Sequence, residues 1–177
     1  EVNYVMIIST NAGLWAYNIG DTIQFTSLAP FRVIVSGRIK HFISAFGEHV
    51  IAKEVEQSLL SALKTTDISV SEFTVAPQIA PSEGLPYHEW FIEFEKPPSD
   101  IDKFEIKIDQ ALQLQNSYYL DLIQGKVLQP LKITQVKKDG FQNYMKTIGK
   151  LGGQNKTPRL SNDRKIADSL IKNNQTI

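Results

Sequence analysis

Hydrophobic residues near the start of the chain form short runs separated by turn residues. The run at 3–9 is almost continuously apolar, which is typical of a strand covered on both faces of a sheet. Three further strands are predicted at 14–18, 21–27 and 31–36, because Gly, Asp or Pro interrupts the pattern between them. Nothing downstream offers obvious cover for the first run. We therefore expect the chain to be the C-terminal piece of a larger protein, cut between strands.

The apolar spacing changes near residues 37–40, which predicts a boundary between one unit at 1–37 and another at 38–177. A helix is predicted most clearly at 52–63, where apolar residues recur every four positions. The other elements predicted after the boundary are strands at 39–44, 73–79, 89–95 and 131–136, a long helix capped by Ser99 or Asp100, a helix at 141–148 and a last helix capped by Ser161 or Asn162. This succession predicts the α+β class, with a mixed sheet and packed helices.

Composition narrows the classes of function without identifying one. Of the 177 residues, 42% are hydrophobic, which is enough for one or two domains with a real core. Lys plus Arg and Asp plus Glu both number 19, so charge argues against nucleic acid or an anionic membrane as the main partner. Cysteine is absent, which excludes disulfides and thiolate chemistry. No signal-peptide pattern or long apolar run is present, so the cytoplasm is the expected location.

Two polar clusters near the start are the first candidates for a binding site, namely Gly20-Asp21 and Gly37-Arg38. An Asp on a tight Gly turn, followed one strand later by a Gly-Arg pair, suits a sugar diol. The carboxylate accepts two hydroxyl protons, and the guanidinium adds a rigid set of donors. The alternative is a hairpin turn with a surface Asp and a solvated Arg.

A third cluster, at 149–159, is rich in glycine and positive charge. It contains three glycines, three cationic residues and one proline in eleven positions. A positive loop with free backbone N–H groups suits closure over a phosphate. It is not a P-loop, because no Gly-Lys-Ser/Thr follows four spacer residues after a Gly. The alternative is a flexible linker before the last helix.

In this order the clusters resemble the acyl-adenylate-forming superfamily, which includes acyl-CoA ligases, luciferase and peptide-synthetase adenylation domains. The residues that carry this resemblance are Tyr17-x-x-Gly20-Asp21, Gly37-Arg38-x-Lys40, Gly47-Glu48 ahead of a helix, and Lys156 in a Gly-rich loop. The chain looks most like bacterial members of the auxin-responsive-promoter (Gretchen-Hagen) family, whose plant members are acyl-acid amido synthetases. That closer likeness is carried by Phe25-Thr26-Ser27-Leu28, Gly37-Arg38-x-Lys40-His41-Phe42-Ile43 and Gly152-Gly153-Gln154-x-Lys156-x-Pro158-Arg159-Leu160-Ser161-Asn162.

The resemblance implies that the tail of a large N-terminal domain is followed here by a small C-terminal lid. Asp21 matches the residue that binds the ribose hydroxyls of ATP or AMP, and Arg38 matches the residue that reaches ribose or phosphate oxygens. Lys40 falls at the hinge about which the lid rotates between half-reactions. Lys156 matches the catalytic lysine, whose charge would neutralise the α-phosphate as pyrophosphate leaves.

The resemblance also aligns the Gly47-Glu48-His49 turn with the loop that the lid presents in the second half-reaction. His49 is there either a base for an incoming amine or a solvated turn histidine. Arg159 is a further site candidate, and its alternative role is to anchor the loop. His88 is expected at the surface of the sheet, and residues 116–119 are expected to form a turn with aromatic anchors packed into the core.

The activity implied is that of an ATP-dependent ligase that forms acyl-AMP and transfers the acyl group to an amine or amino acid. ATP and Mg²⁺ would act through the full-length enzyme, no metal ligands are predicted in this chain, and the fragment alone should be inactive. An acyl-CoA ligase with a thiol acceptor is one alternative. A non-catalytic regulatory or interaction fragment is another. The acyl acid is not predictable, because its pocket is expected in the preceding domain.

Overall fold

The computed structural model describes residues 2–38, 42–64, 66–150, 152, 156–173 and 175–177, with the backbone alone at Arg38. Its elements are β1 (Tyr4–Ile8), β2 (Tyr17–Leu28), β3 (Phe31–Arg38), β4 (Phe42–Ile43), β5 (Val50–Ile51), α1 (Ala52–Leu63), β6 (Ser69–Gln78), β7 (Tyr87–Lys96), α2 (Ile101–Gln115), α3 (Ser117–Gln124), β8 (Lys132–Val136), α4 (Gly140–Thr147) and α5 (Lys165–Lys172). The predicted α+β class is confirmed. Among these described helices, none has both the length and the apolar run that a membrane span requires.

The first sheet is antiparallel, in the order β1-β2-β3. The single strand β2 replaces two predicted strands, at 14–18 and 21–27. Gly20 adopts a left-handed conformation (φ 82°) inside the strand instead of ending it, and its N–H is held by the side-chain oxygen of Asn18 at 2.8 Å. The prediction of a tight turn before Asp21 is therefore wrong. The glycine is an irregularity within one long strand.

Strand β1 was predicted to be covered on both faces, yet it is largely exposed in the described structure. It lies at the edge of its sheet, and the exposed fractions of Val5 and Ile7 are 49% and 61%. Three exposed aromatic rings contact one another across this sheet, with centroid separations of 5.6 Å from Tyr4 to Phe25 and 6.1 Å from Phe25 to Phe31. An apolar run shows that a strand suits burial, but a second layer must supply it, and the described residues place none over β1.

A mixed sheet in the order β6-β7-β8 forms the centre of the remaining chain. Strands β6 and β7 are antiparallel, whereas β7 and β8 are parallel and are connected through α2 and α3. Side chains alternate along β7, so that Trp90 and Ile92 enter one apolar cluster and Phe91 enters another. The first cluster includes residues of α1, α2 and α3, and the second includes residues of α4 and α5. Helices therefore cover both faces of this sheet.

Helix α1 has the bounds predicted from sequence. Val55, Leu59 and Ala62 bury their side chains at spacings of four and three, which matches one helical face. The carboxylate of Glu54 accepts the N–H of Ile51 at 2.9 Å and so satisfies a backbone donor at the start of the helix. Burial of each large aliphatic side chain contributes about 1.5–3 kcal/mol. Packing of one apolar face is thus what holds α1 in place.

Residues 116–119 begin a helix, and the prediction that they form a turn is wrong. The side-chain oxygen of Asn116 accepts the N–H of Tyr119 at 2.8 Å, which is the contact of an N-cap. Tyr119 is fully buried, and its hydroxyl donates to Asp109 at 2.6 Å. The core role expected for the aromatic side chain is confirmed at this position, whereas the local backbone is helical rather than turned.

Two short segments extend the central sheet. Leu160 pairs in parallel with Val75 of β6, and Thr176 pairs antiparallel with Val136 of β8. Ser161 joins the first pairing by donating its N–H to the carbonyl of Val75, and α5 begins only at Lys165. A cap by Ser161 or Asn162 is therefore wrong. Instead, the side-chain oxygen of Asn162 accepts the N–H of Ser44 at 2.9 Å.

Candidate functional site

The glycine-rich loop ends in a segment that is bound to the edge of β6. The Thr74 hydroxyl donates to the carbonyl of Pro158 at 2.7 Å, and the N–H of Val75 donates to the carbonyl of Arg159 at 3.0 Å. Lys156 lies directly before this segment, and its side chain is exposed. An ammonium two residues from a bound strand has a restricted range of positions, which suits a group that must meet a charge at one place.

Arg159 is a second anchor of this segment. Its guanidinium lies over the ring of Phe73, 4.7 Å from the centroid. It also forms ion pairs with Glu72 and, at 3.3 Å, with Glu56. These contacts use the Nε and Nη1 donors of Arg159 on groups of the protein itself, as the anchoring alternative requires. Of the two site candidates in the loop, Lys156 therefore exposes its side chain to solvent, whereas Arg159 is bound to other residues of the protein.

Lys156 and Lys150 line one cleft of about 490 Å³. The other residues around it are Ser71, Glu72, Glu93, Asp139, Phe141, Gln142, Met145, Gly152 and Thr157. The backbone N–H of Lys150 donates to the carbonyl of Met145 at 2.9 Å, so this lysine follows directly from the end of α4. The structure thus brings the predicted catalytic lysine and a second lysine to the same cavity.

Two of the three carboxylates that line the cleft already have partners. Glu72 is paired with Arg159. Glu93 accepts the N–H groups of Asp139 at 2.9 Å and Phe141 at 3.3 Å, and so caps the start of α4. Over the described residues, neither lysine of the cleft forms an ion pair. Their ammonium groups are therefore available to an anionic ligand.

The Gly47-Glu48-His49 turn divides its side chains between the interior and the solvent. Glu48 is completely buried, and its carboxylate binds the Nε2 atom of His88 at 2.9 Å and the N–H of Phe46 at 2.8 Å. His49 is exposed and left-handed (φ 47°). Burial acts to raise the pKa of Glu48, but its hydrogen bonds and the charge on His88 lower that pKa overall. Glu48 thus holds the turn, and His49 is the side chain that the turn presents.

His88 was predicted at the surface of the sheet, and that prediction is wrong, because its side chain is completely buried. Its ring packs against that of Tyr119, with 5.1 Å between centroids. The sequence did contain a signal for this. Positions 88, 90 and 92 of β7 share one face, and Trp90 and Ile92 on that face belong to the core. The period of the strand, more than the polarity of the residue, decided where the imidazole lies.

Asp21 and Arg38 are directly opposite each other in the β2–β3 pair. Two clusters that are distant in sequence therefore lie at register positions on neighbouring strands. Asp21 is half-buried. Lys40, the predicted hinge, lies outside the described residues. The two ribose-site predictions are thus adjacent in the fold.

A metal site would need several ligands in one place. Within the described parts of the chain, no group of three His, Asp or Glu side chains is arranged to hold an ion. The cleft has three carboxylates in its lining, but two of them bind Arg159 or the start of α4. The donor set therefore suits an anionic ligand better than a bare cation.

Two protein-family models match this chain. The model of the GH3 family C-terminal domain matches residues 50–165, and that of the GH3 family central domain matches residues 1–38. The chain belongs to the GH3 family. The family predicted from the motifs is confirmed by these matches. No curated protein matches the sequence.

Solved structures of GH3 proteins share this fold. The chain is similar to "GH3.15 acyl acid amido synthetase", with 21% identity and a TM-score of 0.75, covering 99% of this chain and 34% of that one. It is also similar to "AtGH3.15 acyl acid amido synthetase in complex with 2,4-DB", with 20% identity and a TM-score of 0.72, covering 99% and 33%. This GH3 chain spans about a third of the length of those structures.

Proposed function

We propose that this GH3 chain is the C-terminal part of an ATP-dependent ligase that makes acyl-AMP and transfers the acyl group to an amine or amino acid. The observation that carries the proposal is the exposed ammonium of Lys156, presented beside a cleft by a segment bound to β6. Membership of a family with acyl acid amido synthetases among its solved structures supports it. The preceding domain would supply the adenine and acyl pockets.

The chemistry requires two steps, because a carboxylate is a poor acylating agent. In the first step a carboxylate oxygen attacks the α-phosphate of ATP, the bond to the leaving phosphate breaks, and pyrophosphate departs. In the second step the amine nitrogen attacks the acyl carbon, AMP leaves with the electrons of the broken C–O bond, and the nitrogen loses a proton. Both steps need charge stabilisation at fixed positions more than covalent help from the protein.

The residues of this chain divide between those steps. Lys156 would neutralise charge on the α-phosphate while pyrophosphate leaves. Asp21 would accept two ribose hydroxyl protons, and Arg38 would donate to ribose or phosphate oxygens from the opposite strand. In the second step the lid would rotate about Lys40, and the 47–49 turn would replace Lys156 beside the acyl-adenylate.

Mg²⁺ would enter with ATP and screen its phosphate charges. We assign it no residue of this chain, since none of the described His, Asp and Glu side chains forms a cluster for a cation. What this chain would contribute to the phosphates is positive charge from Lys156, with Lys150 as a second cation that lines the same cleft.

The test is ATP–pyrophosphate exchange by the full-length protein across a panel of acyl acids. Exchange that depends on one class of acid is expected, followed by amide formation when amino acids are added. Product formation with coenzyme A instead would identify a thiol acceptor. The 177-residue chain alone should show no exchange with any acid. Absence of exchange by the full-length protein over a broad panel would contradict the proposal.

A further inference from the structure

A buried polar pair lies beneath the turn that presents His49. Glu48 and His88 both have completely buried side chains, although forty positions separate them in sequence. Their contact joins the turn to the middle of the structure, because His88 lies in β7, the central strand of the β6-β7-β8 sheet. Surface turns are seldom tied so deeply, so the pair invites a functional explanation.

One nitrogen of the His88 imidazole binds Glu48, and the other has no hydrogen-bond partner among the described residues. His88 Nε2 lies 2.9 Å from the Glu48 carboxylate, whereas the buried Nδ1 atom has no hydrogen-bond partner in the described structure. A carboxylate accepts only, so Nε2 must carry the proton that joins them. The ring is held by this bond and by its packing on Tyr119, 5.1 Å between centroids.

The backbone conformation of the 47–49 turn requires a contact of this kind to hold it. Gly47 and His49 both have positive φ angles, 94° and 47°, a region that only a few per cent of residues other than glycine adopt. Glu48 stands between them and binds inward to His88 and to the N–H of Phe46. If the inward bond were lost, the turn would be free to relax toward ordinary backbone conformations, and His49 would point elsewhere.

We propose that His88 is a positioning residue for acyl transfer: through Glu48 it holds the 47–49 turn in the shape that presents His49. This inference rests on the proposed function, in which that turn serves the second half-reaction. His88 touches no reacting atom. Lys156 and its segment do not depend on the contact between His88 and Glu48, since they are held separately by β6 and Arg159. Adenylation should therefore not depend on it.

The first experiment measures backbone hydrogen exchange in the 177-residue chain. In His88→Leu the amides of residues 46–50 should exchange at least about tenfold faster, while amides of α2 and β7 keep their protection. Ile92→Val, an apolar truncation on the same face of β7, is the control for general loosening of the core. Unchanged exchange in the turn, or equal acceleration in the control, would overturn the inference whatever the enzyme does.

The second experiment separates the half-reactions in the full-length protein. His88→Leu should slow amide formation from a supplied acyl-adenylate by at least about tenfold and leave pyrophosphate exchange within about twofold. A purely structural role would lower both rates together with Tm. If His88→Leu does not fold, the matched pair His88→Gln and His88→Asn replaces it. Gln places an amide N–H near the position of Nε2 and should retain transfer, whereas Asn is one carbon too short and should lose it.

The outcomes remain distinguishable from those for the proposed function. A wild-type protein without pyrophosphate exchange contradicts the ligase proposal, and hydrogen exchange in the turn still decides whether His88 positions it. A wild-type protein with both half-reactions, and His88 variants that reduce both equally, contradicts the inference alone. Equal transfer rates in the Gln and Asn variants would also contradict it.

Discussion

The guanidinium of Arg159 lies over the ring of Phe73, with 4.7 Å between the guanidinium carbon and the ring centroid. Two carboxylates, those of Glu72 and Glu56, hold the same group from its edges. The ring contact and the two ion pairs fix the planar guanidinium in orientation as well as in position. Because Arg159 follows Lys156 by three residues, this contact limits how far the catalytic candidate can move.

Arg159→Gln should reduce adenylation in the full-length enzyme by roughly 10-fold to 100-fold, because Lys156 is no longer held at one place. Arg159→Lys keeps the charge but loses the planar fork, so its loss should be smaller. Lys103→Gln, which breaks an exposed pair with Asp100 away from the cleft, is the control. Pyrophosphate exchange and Tm are the measurements. A lower Tm with unchanged exchange would show that Arg159 stabilises the fold only.

Lys156→Ala should reduce adenylation by roughly 10²–10³-fold, the loss expected for one preorganised charge at a transition state. Transfer from a supplied acyl-adenylate should be nearly unchanged, since the lid has then rotated Lys156 away. Lys150→Ala is the closest comparison, because both lysines line the same cleft, and its effect should be smaller. A severe loss in Lys150→Ala with a mild one in Lys156→Ala would reverse the assignment.

Asp21→Ala should raise the KM for ATP at least about tenfold in the full-length enzyme. The variant loses two hydrogen bonds from a charged acceptor to the ribose, each worth on the order of 1.5–3 kcal/mol. Asp21→Asn retains one acceptor atom and should lie between wild type and Ala. Initial rates over a range of ATP concentrations provide the measurement. An unchanged KM would leave Asp21 as a structural member of β2.

Glu48→Gln should lower the free energy of unfolding by about 1–3 kcal/mol at pH 7, because a buried charge-assisted bond to His88 is lost. Since the folded pKa of Glu48 is lowered, its contribution is present above the ordinary glutamate value of about 4.3 and is lost as pH falls through the folded pKa. Denaturant unfolding between pH 7 and pH 3 should show the gap to wild type narrowing as pH falls below about 4.3. A gap that stays constant over that range would contradict this origin.

Glu105→Gln should stabilise the fold at pH 7, unlike Glu48→Gln. Burial raises the pKa of Glu105, and the nearby Asp102 raises it further, although the N–H of Ile133 donates to this carboxylate at 2.5 Å. A raised folded pKa means that stability is lost as pH rises above about 4.3, so a neutral amide that keeps the acceptor should raise Tm at pH 7 by roughly 1–3 °C. At pH 3 the two proteins should unfold alike. A lower Tm at pH 7 would show that the charge itself is favourable.

Helices and strands were predictable from sequence where their hydrophobic period can be read within one continuous segment. Helix α1 has its predicted bounds, and β6, β7, β8 and α4 lie within a few residues of theirs. The capping role of Asp100 at α2 also holds, since its side chain accepts the N–H of Lys103 at 3.0 Å. These features depend on neighbours a few positions away, which the sequence shows directly. Motif order likewise indicated the GH3 family, because a motif is a property of the chain.

Local signals failed where a distant partner decided the outcome. Gly20 bends a strand that continues, because β1 and β3 pair with β2 on both sides of it. Asn116 begins a helix whose Tyr119 finds Asp109 in α2. A turn residue marks a place where the chain can change direction, and tertiary pairing determines whether it does.

The sequence by itself determined which residue types stand at the site, the α+β class and the family. Tertiary structure alone decided which of those residues meet. It placed Asp21 opposite Arg38, brought Glu72 and Glu93 to the cleft of Lys156 and buried Glu48 against His88. The physical reason is that the identity of a side chain is a property of a single position. Burial, pairing and charge balance depend instead on contacts between segments far apart in the chain, and these contacts form only when the sheets and helices pack.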